Sequence, residues 1–196
     1  MKYALILAAA LLAACGNNAL PTQKPAIKAD DAGARQTRSA PPGSVLANPD
    51  FEQTATDGSI PGWNQIQHAG PPAYAMSIDA DGAYAGHGSF HMVRTKPEEY
   101  GTLQQALDVK PFAGKTIELS AMLKSRAVGR QGWKLFINAD MKGAFKYSSG
   151  LTGDTDWKRD AVSLAIPAQA TRLTVGVTLL DAGEGWMDNV ELKTVD

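Results

Sequence analysis

The sequence predicts an all-β domain over residues 45–196: a β-sandwich or jelly roll of about nine short strands. Three observations carry this. Apolar residues alternate with polar ones in several short runs, and side chains two apart in a strand share a face. Clusters of Gly, Pro, Asn and Asp separate the runs, as at Asp81-Gly82, Lys142-Gly143 and Thr152-Gly153-Asp154. No segment of useful length carries the helical period, and no internal repeat is visible. About 150 residues suffice for one domain with a real core.

The chain starts differently. Met1-Lys2 is a short basic start and residues 4–14 are a continuous apolar run. A membrane-spanning helix takes about 20 apolar residues, so the run fits the core of a secretory signal peptide instead. Gly16-Asn17-Asn18 stops the pattern, which argues against a buried N-terminal helix. Leu12-Ala13-Ala14-Cys15 resembles the lipobox of bacterial lipoproteins. That resemblance implies a lipid in thioether linkage on Cys15, removal of residues 1–14, and acylation of the new amino terminus. Cys15 is the one cysteine, so no intramolecular disulfide can form. Each buried acyl CH₂ contributes ~0.8 kcal/mol, so several chains hold a protein firmly on a membrane. Gly16, where Asp would signal otherwise, resembles outer-membrane sorting. The implied location is the cell envelope, on the outer membrane, with the domain in the periplasm or at the cell surface.

Residues 15–44 hold the lipidated Cys and a tether with Pro21, Pro25, Pro41, Pro42, three glycines and almost no large apolar residues. Such a composition cannot offset its ordering entropy. A flexible chain of this length reaches ~30 Å. The formal charge is -1, and loss of Lys2 with the leader makes it -2. A near-neutral balance argues against nucleic acid, which needs a basic face.

Strands are expected at 44–52, 73–79, 89–94, 101–109, 116–125, 133–139, 157–166, 172–180 and 186–192. Ile117, Leu119, Ala121 and Leu123 share one face of the fifth, and Glu118, Ser120, Met122 and Lys124 the other. Leu173, Val175, Val177 and Leu179 alternate with Arg172, Thr174, Gly176 and Thr178. Trp186, Asp188, Val190 and Leu192 alternate with Met187, Asn189 and Glu191.

The order of landmarks resembles carbohydrate-binding modules of the galactose-binding-like jelly-roll group, the type appended to xylanases and glucanases. Asn48-Pro49-Asp50-Phe51-Glu52 resembles that group's opening strand, and Pro61-Gly62-Trp63 the segment that follows. Gly86-His87-Gly88-Ser89-Phe90 resembles its turn into a strand, and Tyr100-Gly101-Thr102-Leu103-Gln104-Gln105 the approach to another. Residues 111–116 resemble the lead into a central strand, and Trp186-Met187-Asp188-Asn189-Val190-Glu191-Leu192 the closing strand. The match covers roughly the whole domain. It speaks to fold more than to function, because this fold hosts sugar binding, protein binding and plain spacers.

Asp188 shares parity with Trp186, Val190 and Leu192, which predicts a carboxylate on an apolar face. An unpaired buried carboxylate costs several kcal/mol and demands compensation. The resemblance implies a structural Ca²⁺ held by Glu52 and Asp188, with carbonyls around Gly86–Ser89 completing an oxygen shell. Backbone N–H or Arg hydrogen bonds to Asp188 without a metal are the alternative.

A sugar ring offers a face of C–H bonds that stacks on aromatic rings, and hydroxyls that need planar polar partners. The candidate rings are Tyr100, Trp133, Tyr147 and Trp157; the candidate polar partners are Gln104, Asn138 and Arg126. Trp63 and Trp186 are assigned to the core by motif position. Trp133 shares parity with Leu135 and Ile137, which also fits a core ring. His68, His87 and His91 lack a metal-like grouping and are expected as solvated loop or edge residues. Asp79 with Asp81, or Glu98 with Glu99, could be imagined as a glycosidase pair, but paired loop acids are usually solvated. No G-x-S-x-G is present, and the glycine-rich stretch 82–88 lacks the Lys-Ser/Thr of a phosphate loop.

Three functions are consistent with this pattern. The first is a non-catalytic, surface-anchored module that binds a glycan or polysaccharide. The second is a structural or assembly lipoprotein that uses the sandwich for protein contacts. The third is a small polysaccharide-active enzyme of lyase type, which needs a Tyr or His base beside an Arg or Gln.

Overall fold

The computed structural model describes residues 45–140 and 142–195. The leader, Cys15 and the tether lie outside the described residues. Among the described residues nine strands and no helix are found. They are β1 (Asn64–Gln67), β2 (Tyr74–Asp79), β3 (Ser89–Arg94), β4 (Gly101–Leu107), β5 (Thr116–Asn138), β6 (Phe145–Tyr147), β7 (Leu151–Ala165), β8 (Leu173–Leu179) and β9 (Glu184–Val195). The expected jelly-roll sandwich is therefore present.

One strand makes both layers. β5 runs for 23 residues. Its first part, Thr116 to Arg126, pairs with β9, and its last part, Trp133 to Asn138, pairs with β8. Sheet one reads β7-β5-β9-β3-β2, and sheet two reads β6-β5-β8-β4-β1, all antiparallel. The passage lies between Ser125 and Trp133, where the register with β7 shifts twice. Ala127 and Gly132 take positive φ there, at 52° and 92°. The sequence had suggested two strands, 116–125 and 133–139. The glycines between them mark a bend inside one strand rather than its end.

The core is where the two inner faces meet. Ile117, Leu119 and Leu123 of β5, Phe90 and Met92 of β3, and Leu173, Val175, Val177 and Leu179 of β8 are all fully buried. Trp133, Leu135 and Ile137 join them from the far half of β5. Burying each such side chain contributes about 1.5–3 kcal/mol. Phe51 bridges the first loop to this core, with ring centroids 5.5 Å from Trp63 and 5.9 Å from Phe90.

Residues 45–52 of the strand expected at 44–52 do not form a strand. Asn48 and Phe51 have positive φ, 45° and 54°. Asn48 closes the turn with its own amide, which accepts from Gln53 N at 2.9 Å and donates to Gln53 O at 3.0 Å. Asn tolerates this backbone better than most residues. Trp63 Nε1 then donates to Asn48 O at 3.2 Å.

β9 does not keep its expected alternation. Ser120 pairs with Glu191 but Met122 pairs with Asp188, so Asn189 and Val190 together oppose Ala121. This is a β-bulge, with Asn189 at φ 49°. The extra residue flips the parity of the strand. Met187 and Val190 both face the core, while Trp186 and Asp188 turn to the outer face of sheet one. Trp186 is buried but stands outside the core cluster, which corrects its assignment there.

Candidate functional site

The outer face of sheet two carries an open groove of about 250 Å³. Strand alternation builds it. Since Leu103 on β4, Leu135 and Ile137 on β5, and Val175 and Val177 on β8 point inward, the residues between them must point out. One register row crosses the whole sheet: Tyr147 on β6, Phe136 on β5, Gly176 on β8 and Gln104 on β4. Gly176 is buried in this row, and its lack of a side chain lets the Phe136 ring lie close against the sheet. A Cβ there would stand 2.2 Å from the Leu103 carbonyl oxygen and 3.0 Å from the Phe136 ring.

Aromatic rings form one wall. Phe145 and Tyr147 meet edge to face at 4.7 Å, and Phe145 stacks on Phe136 at 6.0 Å. Phe145 and Tyr147 remain 44% and 39% exposed, while Phe136 beneath them is buried. Tyr100 and Gln104 stand across the groove, and Asn138 lies along it. The floor beside Gly176 is hydroxyl. Thr102 Oγ1 donates to Thr178 Oγ1 at 3.2 Å, and Thr178 Oγ1 donates to Gly101 O at 3.0 Å. Burial pushes the Tyr147 phenol above its usual value, and the Tyr100 phenol adds to the shift. Tyr147 is thus a neutral donor and acceptor at physiological pH.

Of the residues singled out from sequence, Tyr100, Gln104, Asn138 and Tyr147 come together here. Phe136, Phe145, Thr102 and Thr178 were missed. Phe136 had a readable signal, since it alternates with Lys134 and Asn138 on the polar side of its strand. Trp133 is corrected: it is fully buried and donates from Nε1 to Trp186 O at 3.1 Å, so its ring cannot meet a ligand. Trp157 stands on β7 at the edge of sheet one, 5.7 Å from the Tyr84 ring. Arg126 is ion-paired with Glu184 and lies 5.7 Å over the Trp186 ring. Neither is near the groove.

A second constellation lies on sheet one. The β2–β3 loop folds over Asp188, which is fully buried. Asp188 Oδ2 accepts from Tyr84 N and Ala85 N, each at 3.0 Å, and Oδ1 accepts from Asn189 N at 2.7 Å. Glu52 Oε1 accepts from His87 N at 2.7 Å and Gly88 N at 3.3 Å, and Oε2 lies 3.2 Å from His87 Nδ1. The loop therefore turns amides toward the two carboxylates, where carbonyls had been expected. Burial pushes the Asp188 carboxyl up to about 6; its amide bonds oppose this, and the Glu52 charge adds to it. Ser89 Oγ is buried and has no hydrogen-bond partner among the described residues. Ser89 stands one residue before Phe90, whose partner in β9 is Met187, the neighbour of Asp188. Backbone amides thus supply the compensation that the buried Asp188 demands, which is the metal-free alternative, and among the described residues no group of three or more His, Cys, Asp or Glu side chains gathers there.

The histidines differ from expectation in one case. His87 is exposed beside Glu52, and His68 is exposed beside Glu98, whose oxygen lies 3.0 Å from Nδ1. His91 sits on a central strand. It stacks on the Trp186 indole at 4.4 Å, and its Nε2 lies 2.8 Å from Glu184 Oε2. On the other side Trp186 Nε1 donates to Asp79 Oδ2 at 2.8 Å.

Comparison with known proteins agrees with this architecture. The chain is similar in fold to a family 16 carbohydrate-binding module, at TM-score 0.56 and 20% identity, over 76% of this chain and 99% of that one. It is likewise similar to the module TmCBM61, solved in complex with β-1,4-galactotriose, at TM-score 0.54 and 17% identity, over 78% and 99%. At such identities the likeness is one of fold. In sequence the chain is 26% identical over 154 residues to the uncharacterized HTH-type transcriptional regulator YbfP of Bacillus subtilis, covering 74% of this chain. The chain spans about half the length of that relative, 52%. The described residues hold no helix and so no helix-turn-helix. No family model matches the chain.

Proposed function

We propose that this chain is a non-catalytic glycan-binding lipoprotein of the bacterial cell envelope, with its ligand in the groove of sheet two. The observation that carries the proposal is the row Tyr147, Phe136, Gly176 and Gln104. Rings meet the C–H faces of a sugar, and amides and hydroxyls meet its hydroxyl groups. A structural neighbour that holds β-1,4-galactotriose supports the same reading. Affinity electrophoresis through gels of xylan, β-1,4-galactan and mixed-linkage β-glucan tests it. At least one gel should retard the domain, and Gln104→Ala should reduce the retardation. Free migration in every gel turns the reading to the assembly lipoprotein.

The membrane is reached through Cys15 in this reading, on the strength of the lipobox-like sequence. Cys15→Ser should abolish fatty-acid labelling and leave the protein uncleaved or free of membranes. Unchanged labelling sinks the anchor. We further propose Ca²⁺ at Glu52 and Asp188, supported by their convergence and the unpartnered Ser89 hydroxyl. Bound there, it would neutralise the pair and fix the β2–β3 loop. A chelator should then lower the melting temperature, since a ligand of the folded state stabilises by mass action.

A further inference from the structure

Tyr84 has no part in the groove, yet it is an exposed ring on a firmly held loop. It sits in the β2–β3 loop, which crosses the outer face of sheet one and reaches the edge strand β7. Six amides of this loop donate to three carboxylates: those of Asp81 and Gly82 to Asp79, those of Tyr84 and Ala85 to Asp188, and those of His87 and Gly88 to Glu52. A loop held at its start, middle and end is a rigid mount. What it mounts is a ring left 47% exposed. Tyr84 packs at 5.7 Å and 59° against Trp157, itself half-buried, so the two rings form an angled platform. Beside them Tyr84 walls a depression of about 130 Å³, floored by Ser120 and Met122 and flanked by Arg159, Asn189 and Glu191.

We propose that this platform is a second glycan-binding site, on the face of the sandwich opposite the groove. Two flat apolar rings beside an amide, a hydroxyl and a carboxylate are the chemistry that a sugar's C–H face and hydroxyls require. The charge balance names the class. The Arg159 guanidinium is 2.9 Å and the Lys193 ammonium 3.1 Å from the same oxygen of Glu118. These two cations share one carboxylate and Glu191 beside them supplies a second, so the patch carries no net charge for an anion and the ligand is a neutral glycan. With a site on each face, one molecule can bridge two chains of a polysaccharide. Like the groove, this inference rests on glycan binding, but its residues are separate and it can fail alone.

The test is affinity electrophoresis of the domain in xylan, β-1,4-galactan, mixed-linkage β-glucan and polygalacturonate. The proteins are wild type, Tyr147→Ala, Tyr84→Ala, Tyr84→Leu and the double variant Tyr84→Leu/Tyr147→Ala. Tyr84→Leu keeps apolar bulk against Trp157 and removes the flat ring, so it reports on stacking even if Tyr84→Ala loosens the loop. The expected result is retention weakened by Tyr147→Ala, weakened about tenfold by Tyr84→Leu, and abolished in the double variant, all in a neutral gel. If Tyr84→Leu matches its parent in both backgrounds, the second site is overturned and the groove stands. If Tyr84→Leu alone abolishes retention and Tyr147→Ala does nothing, the second site stands and the groove falls. Loss confined to polygalacturonate overturns the neutral class. A wild type retained in no gel overturns both sites.

Discussion

On sheet two the side chains that alternate away from the core line an open groove, with Thr102, Phe136 and Thr178 buried at its base and Gln104, Asn138 and Tyr147 nearer its surface. On sheet one the equivalent side chains lie under a loop. Both faces begin from the same period of two. On β8 that period leaves Thr174, Gly176 and Thr178 on the outer face, and among the described residues no loop covers them as one covers sheet one. On β9 the Asn189 bulge sends Trp186 and Asp188 outward instead, and neither can be left to water and the sheet alone. Trp186 is roofed by His91 on one side, and Lys124 and Arg126 lie over its ring at 5.3 Å and 5.7 Å. Asp188 is roofed by the β2–β3 loop. One inserted residue therefore converts a plain outer face into a covered one, and the cover brings its own ring, Tyr84, back to the surface.

The largest effect should come from breaking what the two faces share. Trp133 pairs with Leu179 in sheet two while its indole reaches Trp186 O in sheet one. Its ring also rests on Gly185, where a Cβ would stand 2.5 Å from it. Trp133→Ala should cost about 3–5 kcal/mol, as large-to-small changes in cores do. Urea unfolding followed by far-UV and near-UV signals should show one transition, moved to lower denaturant. Two separated transitions would mean that the sheets are stable independently and that the shared strand couples them weakly.

Asp188 comes next and separates the faces. In metal-free protein its folded pKa, about 6, lies above the value of an unfolded Asp. The sign follows directly. The folded state holds this proton more tightly, so the group's contribution to stability is fully present below pH ~4 and is lost as pH rises through about 6. A difference of about two pKa units corresponds to about 2–3 kcal/mol. Asp188→Asn should flatten that part of the stability profile, whatever its baseline, and Ca²⁺ should stabilise the wild type above pH ~6 and not the variant. A wild-type profile that runs parallel to that of Asp188→Asn between pH ~4 and ~7 in chelator would contradict the burial.

The two faces also differ in how far they could be read. Sheet two was legible because it obeys alternation: Tyr100, Gln104, Asn138 and Tyr147 were named and do converge. What was missed there is mostly small. Thr102 and Thr178 look like ordinary strand residues, and only the pairing of β4 with β8 joins their hydroxyls. Sheet one was less legible because two local breaks carry no sequence mark. Nothing in Asp188-Asn189-Val190 announces an extra residue, and the stretch 127–132 reads as a turn although the chain passes from one sheet to the other there. Asp188 was rightly singled out as a carboxylate needing compensation, but its direction was wrong by one pleat.

Within sheet two, stability and binding should come apart. Phe136 is buried at 5% exposure while Tyr147 beside it keeps 39%. Phe136→Ala should cost about 3 kcal/mol or more. Tyr147→Ala should leave the melting temperature within a few degrees and still weaken retention in a polysaccharide gel. Equal stability losses from the two would mean that the wall is packing rather than a ligand platform.

The smallest effect expected is that of one oxygen. Tyr147→Phe keeps the ring, its edge contact with Phe145 and the Lys134 ammonium 5.9 Å over its face. It removes only the phenol, which no described residue is seen to accept or donate to within the groove wall. A ligand hydroxyl is the natural partner, and a net hydrogen bond contributes about 0.5–1.5 kcal/mol. Retention should therefore fall a few-fold in the Phe variant, far less than in Tyr147→Ala, with folding unchanged. Because burial raises the Tyr147 pKa above its ordinary value, the wild type should hold its affinity through neutral and mildly alkaline pH and lose it only where the phenol ionises. Since Tyr147→Phe has no phenol to ionise, its weaker binding should stay level across that range. Affinity electrophoresis at rising pH measures both curves. If the Phe variant declines in step with the wild type, the loss lies elsewhere in the groove and the phenol makes no contact with the sugar.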